Sequence, residues 1–167
     1  MERLPLDEVG PRGVDRVEFR LSANPGEDLR PLARVASGGE LSRTMLAVKA
    51  VLARADRVPS MIFDEVDAGI GGHVATIVAQ TLRAAAEGRQ VLCVTHLAPI
   101  AAAADHHVRV TKTIARGRTR VTVAALDGDA RVGELARMLG GDAEAPPALE
   151  HARALLGAAR PRKGRPV

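Results

Sequence analysis

Met61-Ile62-Phe63-Asp64-Glu65 is an apolar run that ends on two adjacent carboxylates, and Val91-Leu92-Cys93-Val94-Thr95-His96 is a second, β-branched run that ends on a hydroxyl and an imidazole. Between them Gly69-Ile70-Gly71-Gly72 leads into a helical pattern from about His73 to Ala86, closed by Gly88. Strand, helix and strand in close succession imply a right-handed crossover and a parallel pair, and such pairs are ordinarily buried on both faces. The sequence therefore predicts strands over Ser60 to Phe63 and Gln90 to Thr95, delivering Asp64-Glu65 and Thr95-His96 to one carboxyl edge. That edge is where open α/β sheets hold their ligands.

Upstream, apolar residues at Leu41, Met45, Leu46, Val48 and Leu52 recur at helical spacing, with Arg43, Lys49 and Arg54 mainly on other faces. They predict a helix from Glu40 to Ala55, beginning directly after Ser37-Gly38-Gly39, with Pro59 as its far boundary. Residues Val14 to Ser22 alternate in part and read as a strand, followed by Asn24-Pro25-Gly26 as a turn. Downstream, a short Ala-rich helix near Pro99 precedes two alternating segments, His107 to Ile114 and Arg120 to Leu126, which read as an antiparallel hairpin around Arg116-Gly117. Helices over Ala130 to Leu139 and Pro147 to Ala159 close the pattern. The fold class is α/β: a mostly parallel sheet with flanking helices, then a β-hairpin and helices. Residues 1–159 form one lobe, and residues 160–167 a basic, disordered tail.

A chain of 167 residues with 46% hydrophobic content is long enough for one domain with a real core. With two Phe and no Trp or Tyr, that core must be small aliphatic side chains packed closely, and no aromatic platform exists for stacking bases. The net charge of +4 is uneven, since Arg160, Arg162, Lys163 and Arg165 crowd the tail. Such a segment is either a solvated end or an arm that contacts phosphates. Cys93 stands alone in an apolar run, which reads as a buried, inert thiol and fits a reducing cytoplasm. No apolar stretch reaches transmembrane length and the N-terminus lacks a signal-peptide core, so no membrane partner is expected.

Ser37-Gly38-Gly39-Glu40 places a hydroxyl and two unencumbered amides at a helix start, where N–H groups lack internal partners and the dipole favours anions. Alone it is equally an ordinary cap. Asp64-Glu65 suits phosphoryl chemistry, because one carboxylate holds Mg²⁺ through water while its neighbour orients the attacking water. Alternation along a strand would send the two side chains to opposite faces. Asp67 reads as turn chemistry. His96, on the neighbouring strand, reads as a phosphate contact. Asp105-His106-His107 lacks further ligands at metal spacing, and Gly69-Ile70-Gly71-Gly72 fails the dinucleotide pattern at Val74. No Gly-x-x-x-x-Gly-Lys-Ser/Thr loop occurs in the 167 residues.

Taken together, these residues resemble the C-terminal half of an ABC-type ATPase head. Ser37-Gly38-Gly39-Glu40 matches the signature motif, Met61 to Glu65 the Walker B strand and His96 the switch histidine. Within that class, the stretches Ala36 to Arg43, Asp64 to Gly72 and Thr95 to Pro99, with Asn24-Pro25-Gly26, resemble the SMC-like ATPases of bacterial DNA repair, over about Val14 to Gly157. Most ABC proteins carry Asp where this chain has Gly71. The resemblance implies ATP and Mg²⁺ as cofactors, sandwiched between two heads in a homodimer that acts on DNA in the cytoplasm, at the nucleoid. It implies that Asp64 serves Mg²⁺ through water, Glu65 polarises water and His96 touches the γ-phosphate. Ser37, Gly38, Gly39 and Glu40 would close over the ATP of the opposite head. The Walker A loop belongs to the N-terminal half of the head, which this stretch does not contain. The alternative is a non-catalytic half-head that pairs with an intact head as a regulatory or DNA-bridging module.

Overall fold

A computed structural model of the chain describes residues 2–11, 13–22, 26, 28–32, 38–52, 58–115, 117–140 and 145–159. Asn24-Pro25, Arg54-Ala55, Ser37 and the basic tail lie outside the described residues. The elements are, in chain order, β1 (Glu2–Gly10), β2 (Gly13–Glu18), β3 (Arg20–Leu21), β4 (Arg30–Pro31), α1 (Gly38–Val51), β5 (Ser60–Phe63), α2 (Gly72–Ala85), β6 (Gln90–Cys93), α3 (Ala98–Ala103), β7 (His107–Ala115), β8 (Arg118–Leu126), α4 (Gly128–Met138) and α5 (Pro146–Ala159). This is the mixed α/β organisation that the sequence predicts.

The parallel pair is present: Ser60 stands opposite Gln90 and Phe63 opposite Cys93, and Val94 N–H extends the ladder to Phe63 O at 3.0 Å. Among the described residues the other three strand pairs, β1–β2, β3–β4 and β7–β8, are antiparallel, so parallel pairing is confined to these two strands. Burial on both faces is not found. Met61 and Phe63 are 7% and 6% exposed, whereas Ile62 is 74% and Val94 61% exposed. The reason is coverage. Leu46 of α1, Ala75, Val78, Ala79 and Leu82 of α2 and Ile100 of α3 pack on one face, and no described element covers the other.

A second cluster joins Ala98, Ala101 and Ala102 of α3 to Val132, Leu135 and Ala136 of α4 and Ala152 of α5. Alanines without side-chain bulk let these short helices approach closely. Helix α3 therefore belongs to both clusters, and its C-terminal carbonyls are held by arginines. Arg131 Nη2 donates to Ala101 O, Ala102 O and Ala104 O at 3.1, 3.3 and 2.6 Å, and Arg83 Nη1 to Ala103 O and Ala159 O at 3.0 and 3.2 Å. These donors satisfy acceptors that a helix end leaves orphaned.

The hairpin is longer than expected, with its register running from His107 opposite Leu126 to Ala115 opposite Arg118. One of its faces carries the exposed Val108, Val110, Ile114, Val121 and Val123. The other brings Arg109 to Glu134 of α4 at 3.5 Å. Arg137 approaches the same carboxylate at 2.6 Å. The predicted strand 14–22 is broken at Phe19, and β1 was not foreseen, because Pro5 sits inside it and demotes the run. Cys93 packs on the core side, where burial, then the charges of Asp67 and Asp64, push its thiol up to about 11.

Two expected outcomes follow from this packing. Phe63→Ala should lower the unfolding free energy in urea by about 3–5 kcal/mol, and Ile62→Ala by less than about 0.5 kcal/mol. Acid should act in stages. Burial, foremost, with the charge of Arg131, pulls His107 below its ordinary 6.5 against the opposing Glu134, and bonding to Arg137 pulls Glu134 below 4.5. Lowered folded values mean that stability is intact above the unfolded values and is lost as pH falls. Urea midpoints should thus decline first below pH 6.5 and further below pH 4.5, and His107→Gln should abolish the first stage.

Candidate functional site

The acidic residues do not lie on the strand itself. β5 ends at Phe63, and the chain turns over residues 64–68, with Glu65 at φ 58°. That left-handed conformation is uncommon outside glycine. Glu65 N–H donates to Asp64 Oδ1 at 2.9 Å and Ala68 N–H to Glu65 O at 3.1 Å, which closes the turn locally. The two carboxylates are placed by this turn rather than by strand alternation. Both are exposed, whereas Val66 is fully buried beneath them.

Helix α1 docks its first turns on this segment. Gly38 lies against the Glu65 carboxylate. A Cβ on Gly39 would stand 2.8 Å from Ala68 Cβ and 2.9 Å from Glu65 O, so a side chain there has no room. Ser42 Oγ donates to Asp64 O at 2.6 Å, and Arg43 Nη1 donates to Val66 O at 3.2 Å and Ala68 O at 2.8 Å. Arg43, placed by its pattern on a solvent face, is a clamp. The glycines serve close approach of helix to turn, which the absence of a side chain permits; by sequence alone they read only as open amides. Glu40 heads the same helix and is partly buried, its carbonyl accepting from Thr44 Oγ1 at 2.8 Å.

The edge after β6 meets the turn through Asp67. Its carboxylate is 4% exposed. Oδ2 accepts from Thr95 Oγ1 at 2.6 Å and from His96 N–H at 2.8 Å, and His96 Nδ1 stands 2.9 Å from it as an ion-pair contact. Burial raises the Asp67 pKa, yet the bonds from Thr95 and His96 outweigh it and the net shift is downward. The carboxylate is therefore an anion. Asp67 is the residue that sequence reasoning passed over as turn chemistry; its signal was an acid two residues beyond a paired carboxylate and opposite a Thr-His strand end.

The structure thus unites Gly38, Gly39, Asp64, Glu65 and His96 around one turn. Among the described residues no group of three or more His, Cys, Asp or Glu is placed to hold a metal ion. Asp64 alone suits Mg²⁺ bound mainly through water and phosphate oxygens. Among the described residues no helix is long and apolar enough to cross a membrane.

No family model matches the chain. It is 52% identical to the DNA repair protein RecN of Treponema pallidum over 164 residues, 98% of this chain and 29% of that protein. With RecN of Deinococcus radiodurans the identity is 58% over 90% of the chain, and with that of Bacillus subtilis 44% over 87%. A solved structure described as concerning ATP-driven dimerization and DNA-stimulated activation of SMC ATPases is 22% identical, with a TM-score of 0.41, over 83% of this chain and 70% of that one. The class is that of the bacterial DNA repair proteins to which these sequences belong. Within it the chain is a member of the RecN family, and fits the C-terminal part of such a protein. It spans between 25% and 29% of the length of these relatives.

Gly39→Ala tests the docking of α1. It should lower stability by about 1–3 kcal/mol, as overpacking does, and Arg43→Leu should act on the same contact, so that the double variant loses less than the sum. Urea denaturation of the four proteins checks this.

Proposed function

We propose that this chain is the part of a RecN-type head that helps bind and hydrolyse ATP in the repair and recombination of DNA double-strand breaks. The observation that supports it most directly is the meeting of Asp64, Glu65 and His96 at the carboxyl ends of β5 and β6, fastened through Asp67. Asp64 holds Mg²⁺ through water, and the ion neutralises phosphate charge when bound. Glu65 orients and deprotonates the attacking water, and His96 contacts the γ-phosphate. Gly38, Gly39 and Glu40 present helix N–H groups to the ATP of a second head, and Ser37, next to them in sequence, closes over the same nucleotide. The Walker A loop is supplied by the N-terminal half of the head. The open side of β5–β6, with Ile62 and Val94 exposed, is consistent with a further layer of protein there. The protein acts in the cytoplasm, on nucleoid DNA.

Gly38 lying against Glu65 within one chain favours a second arrangement, in which glycine pair and carboxylates serve the same nucleotide. The two arrangements differ in a mixing experiment on full-length protein carrying these residues. A protomer with Ser37→Arg is mixed with one bearing Glu65→Gln. Shared sites confine both lesions to one site of a mixed dimer, so turnover should recover to at most roughly a quarter of wild type. Sites built within one protomer give no recovery. The 167-residue chain alone should show no ATP turnover, for want of a Walker A loop; turnover by it that Glu65→Gln abolishes would overturn the proposed division of the site.

A further inference from the structure

Two donors and a ring nitrogen on one carboxylate oxygen define what Asp67 can do. A carboxylate anion only accepts, and a bare nitrogen lone pair 2.9 Å from it would be repelled, so the contact with His96 Nδ1 favours the ring proton on Nδ1. In a neutral imidazole the other nitrogen then carries the lone pair. The His96 ring is 73% exposed, which leaves Nε2 as the atom offered outward. The backbone N–H of the same residue bonds to the same oxygen at 2.8 Å, so both the position of His96 and the rotation of its ring are set by one group. Thr95 Oγ1 donates to that oxygen and in turn accepts Leu97 N–H at 3.0 Å, which holds the loop after β6 in this path. On the other side, Arg43 grips the carbonyls of Val66 and Ala68, the residues that flank Asp67. The turn that carries Asp64 and Glu65 and the loop that carries His96 are thus pinned to each other at Asp67.

We propose that Asp67 is the positioning residue of the hydrolytic site: it fixes His96 in the Nδ1–H tautomer, with Nε2 turned outward in register with Asp64 and Glu65, where its lone pair accepts from the water that attacks the γ-phosphate. This rests on the ATPase reading above and adds the group through which the acidic turn and the histidine act together.

Long-range proton–nitrogen NMR of the imidazoles of this chain, at about pH 8 and so above the ordinary histidine range, reads the tautomer directly. His96 should be the Nδ1–H form, and in Asp67→Asn, whose amide also donates, it should shift toward Nε2–H. Thr95→Val, which leaves the Nδ1 contact in place, should keep the wild-type tautomer. In a full-length protein carrying these residues, Asp67→Asn should lower kcat roughly 10–100-fold, as loss of an orienting partner does, with the KM for ATP unchanged. Combined with His96→Ala it should cause no further loss beyond His96→Ala alone. An Nε2–H tautomer in the wild type, a measurement that needs no variant to fold, overturns the proposal, and so does an additive loss in the double variant. Absence of ATP turnover in the wild-type full-length protein sinks the ATPase reading and the role toward the attacking water with it, while the tautomer still decides whether Asp67 orients His96.

Discussion

Five residues of turn, Asp64 to Ala68, hold the site together because they offer polar groups to two other elements, helix α1 and the loop after β6. Ser42 takes the carbonyl of Asp64, Arg43 takes those of Val66 and Ala68, and the Asp67 carboxylate takes Thr95 and His96. Those of Val66 and Asp67, which are buried, would be expensive orphans if their partners withdrew. The condition that makes the arrangement possible is steric. Helix α1 reaches the turn only because Gly39 has no side chain where Ala68 and the Glu65 carbonyl already stand.

Packing beneath the turn follows the same economy of size. Val66 fills the space below it, and the alanines of α2, α3, α4 and α5 let helices meet at short range in a chain almost without aromatic residues. Helix α3, only six residues long, is shared by two clusters and lacks the length to be stable by itself. Arg83 and Arg131 supply from outside the carbonyl partners that its own length cannot.

Local signals carried much of this into the sequence. The β5–α2–β6 unit, the hairpin and the last two helices were legible because period, breakers and length agree in them, and the agreement of Asp64-Glu65 with Thr95-His96 at one edge follows from parallel pairing alone. What was not legible depends on partners distant in sequence. Arg43 looks like a solvated helix residue until its carbonyl acceptors, 23 and 25 residues on, are known. Asp67 looks like turn chemistry until the loop after β6 arrives, 28 residues later. The strand β1 was hidden by Pro5. The face left open by Ile62 and Val94 reads in sequence as burial, since hydrophobicity records the need for cover and not where the cover comes from.

Glu65 keeps a left-handed backbone at φ 58°, where glycine or asparagine would rest at lower energy. The penalty is of order 1 kcal/mol for a residue with a side chain. A chain refined for robustness alone would drift toward glycine at this position and would end with a firmer turn that carries no carboxylate there. On the ATPase reading proposed above, the trade-off between endurance and chemistry is concentrated in a single torsion angle, and a consensus-guided effort to stabilise this lobe would have to leave that angle strained.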